Sequence, residues 1–294
     1  MQKELLLAVG DERAASYTLR YLKEVYSDFC DLRLTLFYAA PRPPSREMCD
    51  DGLTPSDKGL HKLDAAKRSK GGKAIEDGLK WLKDIAGCQG DNVRTKIVHS
   101  RKGTANELID EARAGKYDAL LLGRRGFSWF EEMFANSVSH ELLWQDIDFP
   151  IWICRRPPKH PRRHVLLCMD GSSAGLRMVD HAGYMLAKET SHTFTLFHVT
   201  GARFDTAEST RIFDEGLAAL AENGIAEERI EMKIVKESNQ VKAILKEAAE
   251  GNYLAVGVGR HGEYERSQKQ HLFPDSTCVN LLRQMEDTAL WISK

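Results

Sequence analysis

No stretch of this sequence approaches the roughly 18 consecutive apolar residues that a membrane-crossing helix needs. Neither charge is in excess. Its 42 lysines and arginines face 43 aspartates and glutamates, so no global field points to nucleic acid or an anionic membrane. Six cysteines are scattered at 30, 49, 88, 154, 168 and 278, without a Cys-x-x-Cys or a pairing rhythm. In a chain of this length that argues for reduced thiols and against a disulfide framework or a zinc site. His99, His181 and His192 share no metal-like spacing, so no metal site is expected. The sequence also lacks a Walker Gly-x4-Gly-Lys-Ser/Thr loop. Met1 to Gly10 carries an acidic residue before a short apolar stretch and reads as a first strand, not a signal peptide. A cytoplasmic protein with no nucleic-acid or membrane partner is the expectation.

What the chain does contain, it contains twice. Leu34-Thr-Leu-Phe37 recurs as Phe194-Thr-Leu-Phe197, 160 positions later. Gly115-Lys-Tyr-Asp-Ala-Leu-Leu-Leu-Gly-Arg-Arg-Gly126 recurs as Gly251-Asn-Tyr-Leu-Ala-Val-Gly-Val-Gly-Arg-His-Gly262, 136 positions later. Ile151-Trp-Ile153 recurs as Leu290-Trp-Ile292, 139 positions later. A unit of about 140 residues is too long for a solenoid module and right for a whole domain. The reading is a first domain over 1–156, a linker over 157–163 and a second domain over 164–294. The linker region, Arg155-Arg-Pro-Pro-Lys-His-Pro-Arg-Arg163, is basic and stiffened by prolines. Without interleaved aromatics it reads as a solvated connector, not a nucleic-acid contact.

Within each copy short apolar runs alternate with amphipathic segments. The first copy predicts strands at 5–9, 32–39, 93–99, 119–122 and 151–154, with helices near 12–26, 61–85 and 137–145. A Pro-rich loop over 41–59 and a helix capped by Thr104 complete it. The second copy predicts strands at 164–169, 193–199, 230–236, 253–258 and 289–292. Helices between strands imply parallel pairing and right-handed crossovers. The fold class is therefore α/β, with two tandem, open, doubly wound five-stranded parallel sheets.

Ligands of such sheets bind at the carboxyl ends of the strands, where the strand order reverses. The loop after the fourth strand runs Gly123-Arg-Arg-Gly126, then nine residues, then Asn136-Ser-Val-Ser139 into a helix. Two glycines leave room for close backbone approach, and a helix start favours an anion. This order resembles the universal stress protein family, whose nucleotide-binding members carry Gly-x2-Gly-x9-Gly-Ser/Thr there. Leu5-Leu-Leu-Ala-Val-Gly-Asp-Glu12 and Val165-Leu-Leu-Cys-Met-Asp-Gly-Ser172 are similar to the family's first strand and Asp-Gly-Ser turn. Ser100-Arg-Lys-Gly-Thr-Ala-Asn-Glu-Leu-Ile109 is similar to its turn into the third helix. The chain is thus identified as a tandem member, and adenylyl-transferring relatives of the general fold would add a His-x-Gly-His that is absent.

The resemblance implies ATP or AMP as ligand, with Mg2+ only alongside ATP. The residues it implies at the sites are Gly10, Asp11, Tyr38, Gly123, Arg124, Gly126, Asn136, Ser137 and Val138 in the first copy. In the second they are Asp170, Gly259, Gly262 and Ser276. Each copy departs from the pattern differently. Gly10 stands where the family has an Asp, with Asp11 one step late, and Asn136 replaces the third glycine. Glu131 and Glu132 oppose a phosphate if they point inward, while Arg124 and Arg125 favour it. In the second copy twelve residues follow Gly262 and Asp275 replaces the last glycine, ahead of Ser276 and Thr277. A carboxylate about 4 Å from a phosphate costs on the order of 1–4 kcal/mol, so tight ATP binding is expected only in the first copy. Asp275 also reads as a helix N-cap, and His198, the counterpart of Tyr38, reads as packing.

Two functional readings remain open at this point. One is a non-enzymatic stress-response protein that binds an adenine nucleotide in the first domain beside a degenerate second site. The other is an interaction scaffold that binds no nucleotide, or binds another small ligand. No base–nucleophile pair can be named, so weak ATP hydrolysis is the most expected of it as an enzyme. The family commonly dimerises through its last strands. Pro150–Cys154 and Ala289–Ser293 are accordingly expected to pair within the chain as an internal pseudo-dimer, which can form a homodimer in turn.

Overall fold

The computed structural model describes residues 2–9, 14–28, 32–40, 71–84, 92–99, 103–123, 147–155, 162–201, 205–260, 277–285 and 287–293. They fall into two compact units, Met1–Leu19 with Asp28–Asn136 and Arg20–Ser27 with Ser137–Lys294. The predicted loop over 41–59 and the helix over 137–145 lie outside the described residues.

In the first unit β1 (Glu4–Ala8) lies between β2 (Arg33–Ala40) and β4 (Ala119–Gly123), and β3 (Val93–His99) extends the sheet beyond β2. Every pairing is parallel. Strand order therefore reverses at β1, as two crossovers of one hand running in opposite directions from it require. Leu5, Leu6 and Leu7 and all of β4 are buried, the continuous apolar reading of a strand covered on both faces. The accompanying helices are α2 (71–84), α3 (Thr104–Gly115) and the start of α1 (Ala14–Val25), whose residues from Arg20 on belong to the second unit. One expectation is corrected here. Thr104 does not cap α3; the N-cap is Gly103, with φ 93° and no side-chain bond, in backbone that glycine adopts most readily. Thr104 is the first helical residue.

The second unit repeats the plan. Its parallel strands are β6 (Arg162–Met169), β7 (Thr193–Thr200), β8 (Ile230–Lys236), β9 (Tyr253–Gly259) and β10 (Ala289–Ser293). They run β8-β7-β6-β9-β10, with the reversal at β6. The helices are α4 (Ser173–Leu186), α5 (Thr206–Glu222), α6 (Gln240–Gly251) and α7 (Thr277–Gln284). β5 (Ile151–Cys154), the last strand of the first sequence repeat, belongs to this unit and pairs antiparallel with β10. Trp152 faces Trp291 in that register, and both rings are fully buried. The two expected strands thus close one sheet edge against each other.

The basic linker is partly structural. β6 begins at Arg162, two residues earlier than expected. Arg155 is buried and donates to the Leu282 carbonyl at 2.7 Å, satisfying a C-terminal oxygen of α7. Arg163 donates to the hydroxyls of Ser191 (2.8 Å) and Ser27 (3.3 Å).

Candidate functional site

The mouth of the second sheet is the better described. β6 ends at Met169, and the chain turns through Asp170, Gly171 and Ser172 into α4. Gly171 takes φ 81°. The Asp170 Oδ1 accepts from the Ser172 amide at 3.0 Å, and the Ser172 hydroxyl accepts from the Gly175 amide at 3.1 Å. Both side chains therefore shape the turn and start the helix, and Asp170 is an exposed residue. We expect Ser172→Ala to lower stability by about 1 kcal/mol, the usual value of a serine N-cap, read as a shift of the urea midpoint.

Gly259 ends β9 at the same mouth. A Cβ there would lie 2.6 Å from the Ala174 carbonyl carbon and 2.9 Å from the Gly175 Cα, and closer still to the Gly175 amide nitrogen. The first turn of α4 thus rests directly on the last residue of β9, and only glycine permits it. Arg260 follows, buried, with its amide donating to the Ser293 carbonyl at 2.7 Å. Burial pulls its guanidinium down to about 10, partly offset by the Cys278 thiol, so it remains a cation at neutral pH. The sequence reading named its counterpart Arg124 and passed over Arg260. The position directly after Gly259 was the available signal.

His198 is buried in the second sheet. Its Nδ1 lies 2.7 Å from the Met169 carbonyl, and its ring meets Phe213 edge-on at 6.3 Å. That is the packing role expected of it. Tyr38, its counterpart, is buried beneath α2; a Cβ on Gly71 would stand 2.5 Å from the Tyr38 Cε1. Gly123 closes β4, fully buried, one residue beyond the Leu122 that pairs with Ala8 of β1. Gly10, Asp11, Arg124, Gly126, Asn136, Ser137, Val138, Gly262 and Ser276 lie outside the described residues, as does Asp275. The structure therefore brings Asp170 and Gly259 to one mouth and sets Gly123 at the corresponding place in the first sheet. Among the described residues no group of three or more His, Cys, Asp or Glu is arranged to hold a metal ion.

The opposite ends of the sheets carry a polar set that the sequence reading did not single out. Lys96 meets Glu111 at 2.5 Å, and the Tyr117 hydroxyl donates to Glu111 at 3.2 Å. In the second unit Lys233 meets Glu247 at 2.6 Å, and the Tyr253 hydroxyl donates to Glu247 at 2.8 Å. Each set ties a strand at the sheet edge to the following helix and the fourth strand. Burial raises both tyrosines, Tyr253 to about 12. Both stay neutral donors, a structural role.

The model of the universal stress protein family matches residues 1–155 and again residues 161–286. Among solved structures, a universal stress protein from Archaeoglobus fulgidus DSM 4304 is 18% identical, with a TM-score of 0.63 over 100% of this chain and 97% of that one. A putative universal stress protein from Pseudomonas aeruginosa UCBPP-PA14 is 13% identical, with a TM-score of 0.57 over 99% of this chain and 93% of that one. A universal stress protein solved in complex with cAMP covers 45% of this chain and 95% of its own, at 24% identity and a TM-score of 0.36. No curated protein matches this chain. The likenesses to the Archaeoglobus and Pseudomonas proteins speak to fold; the twofold family match speaks to descent. The chain belongs to the universal stress protein family and carries two of its domains in tandem.

Proposed function

We propose that the protein is a non-enzymatic regulator whose first domain binds an adenine nucleotide, ATP or AMP, and whose second domain holds a degenerate form of the same site. The observation that carries this reading is the placement of Gly123. It ends the strand beside β1, where strand order reverses, and it opens the Gly-x-x-Gly…Ser sequence that the family's nucleotide binders share. Arg124, Gly126, Asn136, Ser137 and Val138 follow it in sequence and are proposed to line the phosphate end, with Tyr38, Gly10 and Asp11 towards the nucleoside. In the second domain the Asp170 carboxylate is already engaged with its own turn. Asp275 adds a negative charge where phosphate would sit. Mg2+ enters this reading only with ATP.

Calorimetry with ATP and AMP tests it, together with mass spectrometry of what the denatured protein releases. We expect one nucleotide per chain. Gly123→Val and Ser137→Val should each weaken binding by about tenfold or more, while Asp170→Ala should leave it unchanged. Two variants are used because Gly123 is buried, and Ser137→Val reports on binding even if Gly123→Val folds poorly. Absence of both heat and released nucleotide would instead favour the scaffold reading, which the complementary departures of the two copies support.

A further inference from the structure

The β5–β10 junction contains two stacked indoles, Trp152 and Trp291, with centroids 3.9 Å apart and planes inclined by 4°. Each indole N–H is buried and needs an acceptor. Trp291 Nε1 donates to the Tyr21 hydroxyl at 2.9 Å. Trp152 Nε1 donates to His181 Nε2 at 3.0 Å. Tyr21 and His181 are 160 positions apart, the repeat offset of the first helices, so they are one position in two copies. Each copy's helix receives the N–H of the other copy's last strand. The two acceptors differ in one respect that matters: only histidine exchanges a proton in the mildly acidic range.

We propose that His181 makes the β5–β10 junction acid-sensitive: protonation of Nε2 sets an N–H against the Trp152 N–H and loosens the indole stack. The bond at 3.0 Å requires an unprotonated Nε2, which leaves the ring proton on Nδ1. A proton taken up from solvent goes to Nε2, the hydrogen bond breaks, and a buried cation faces the indole edge. Among the described residues the titratable groups around it are these. Tyr21 on α1 and Cys154 on β5 are both driven up by burial and stay neutral in acid. β10 presents Trp291, whose ring centroid is 6.3 Å from that of His181. On α4 itself Arg177 and Asp180 are exposed, and Asp180 accepts from Asn223 at the end of α5 at 2.8 Å. α5 also carries the exposed Arg211–Glu215 pair, 2.6 Å apart, and Arg211 reaches towards Gly171 at the start of α4. β6 contributes Cys168, raised by burial, and β9 leads to Arg260, already a cation. The inference is independent of nucleotide binding.

The test is near-UV circular dichroism and tryptophan fluorescence of the full-length chain from about pH 8 to about pH 5, across the histidine range. The wild type should lose a large part of its indole-stack signal reversibly, while far-UV ellipticity stays constant. His181→Tyr places the Tyr21 solution in the second copy and should hold the signal constant. His181→Gln, which also offers a non-titrating acceptor, serves if the tyrosine does not fit. Tyr21→His should steepen the loss. A wild-type signal that is the same at both ends overturns the proposal, and so does a His181→Tyr or His181→Gln chain that follows the wild-type course.

Discussion

Gly259→Ala should cost about 3 kcal/mol, the upper end for overpacking, and the loss should appear as an early transition of the second unit in urea. The reason is the identity of the neighbours. The added methyl meets the Ala174 carbonyl carbon at 2.6 Å and the Gly175 Cα at 2.9 Å, all backbone of the first turn of α4. That turn cannot rotate away as a side chain can. It is pinned by the Ser172 cap and followed by a helix with nine buried residues, including Met178, Val179, His181 and Met185. Two other glycines calibrate the effect. At Gly216 a methyl would meet the Met169 Cε at 2.7 Å, the far end of a flexible side chain, so Gly216→Ala should cost less. At Gly201 nothing lies within 4 Å, and Gly201→Ala should stay within about 0.5 kcal/mol of wild type. A Gly259→Ala midpoint indistinguishable from that of Gly201→Ala would refute the close contact. The measurement needs no nucleotide, so it separates the glycine's packing role from any part in binding.

That contact also shows where sequence reasoning stopped. A glycine after a fourth strand was legible as a place where backbone comes close, because periodicity and the repeat fixed its position. What comes close was not legible, since it is the start of α4, far back in the chain, that crosses the strand end. The strands were read well for the reason that a parallel sheet covered on both faces writes itself as unbroken apolar runs, such as Leu5–Leu7 and Ala119–Leu122. The pairing of β5 with β10 is what the family resemblance implies for the last strands, and the structure has it. The partners of the two tryptophans there were not legible. Tyr21 and His181 are equivalent positions, yet they share no residue type, so a search for recurring residues passes over them. The Lys–Glu–Tyr sets escaped differently. Glu111 and Glu247, like Tyr117 and Tyr253, are 136 positions apart, whereas Lys96 and Lys233 are 137 apart. A one-residue drift between strand and helix hides the set from a fixed offset, although the geometry is kept in both units.

His192 alone should make the second unit about 3 kcal/mol less stable at about pH 4 than at neutral pH, separately from any effect of acid at His181. His192 is fully buried, and neither of its ring nitrogens makes a hydrogen bond among the described residues. Burial first, and then the guanidinium groups of Arg163 and Arg229, hold its pKa down to about 4. Both arginines are fixed in place: Arg163 by Ser191, and Arg229 by the carbonyls of His192 (2.7 Å) and Glu189 (2.9 Å). The sign follows from proton counts. Between about pH 6.5 and about pH 4 the unfolded chain carries a proton on this ring and the folded chain does not, so unfolding takes up a proton and acid favours it. Stability is complete above the unfolded value, falls as pH drops, and levels off once the folded ring also protonates. His164 is shifted in the same direction, chiefly by burial, and adds a smaller share. His192→Leu removes the titrating group and the weak opposing influence of the Glu189 backbone on it. It should be close to wild type at neutral pH and markedly more stable than wild type near pH 4.5, inside the titration window. Urea midpoints at the two pH values decide the matter: equal slopes for wild type and His192→Leu would mean that the acid sensitivity lies elsewhere in the unit.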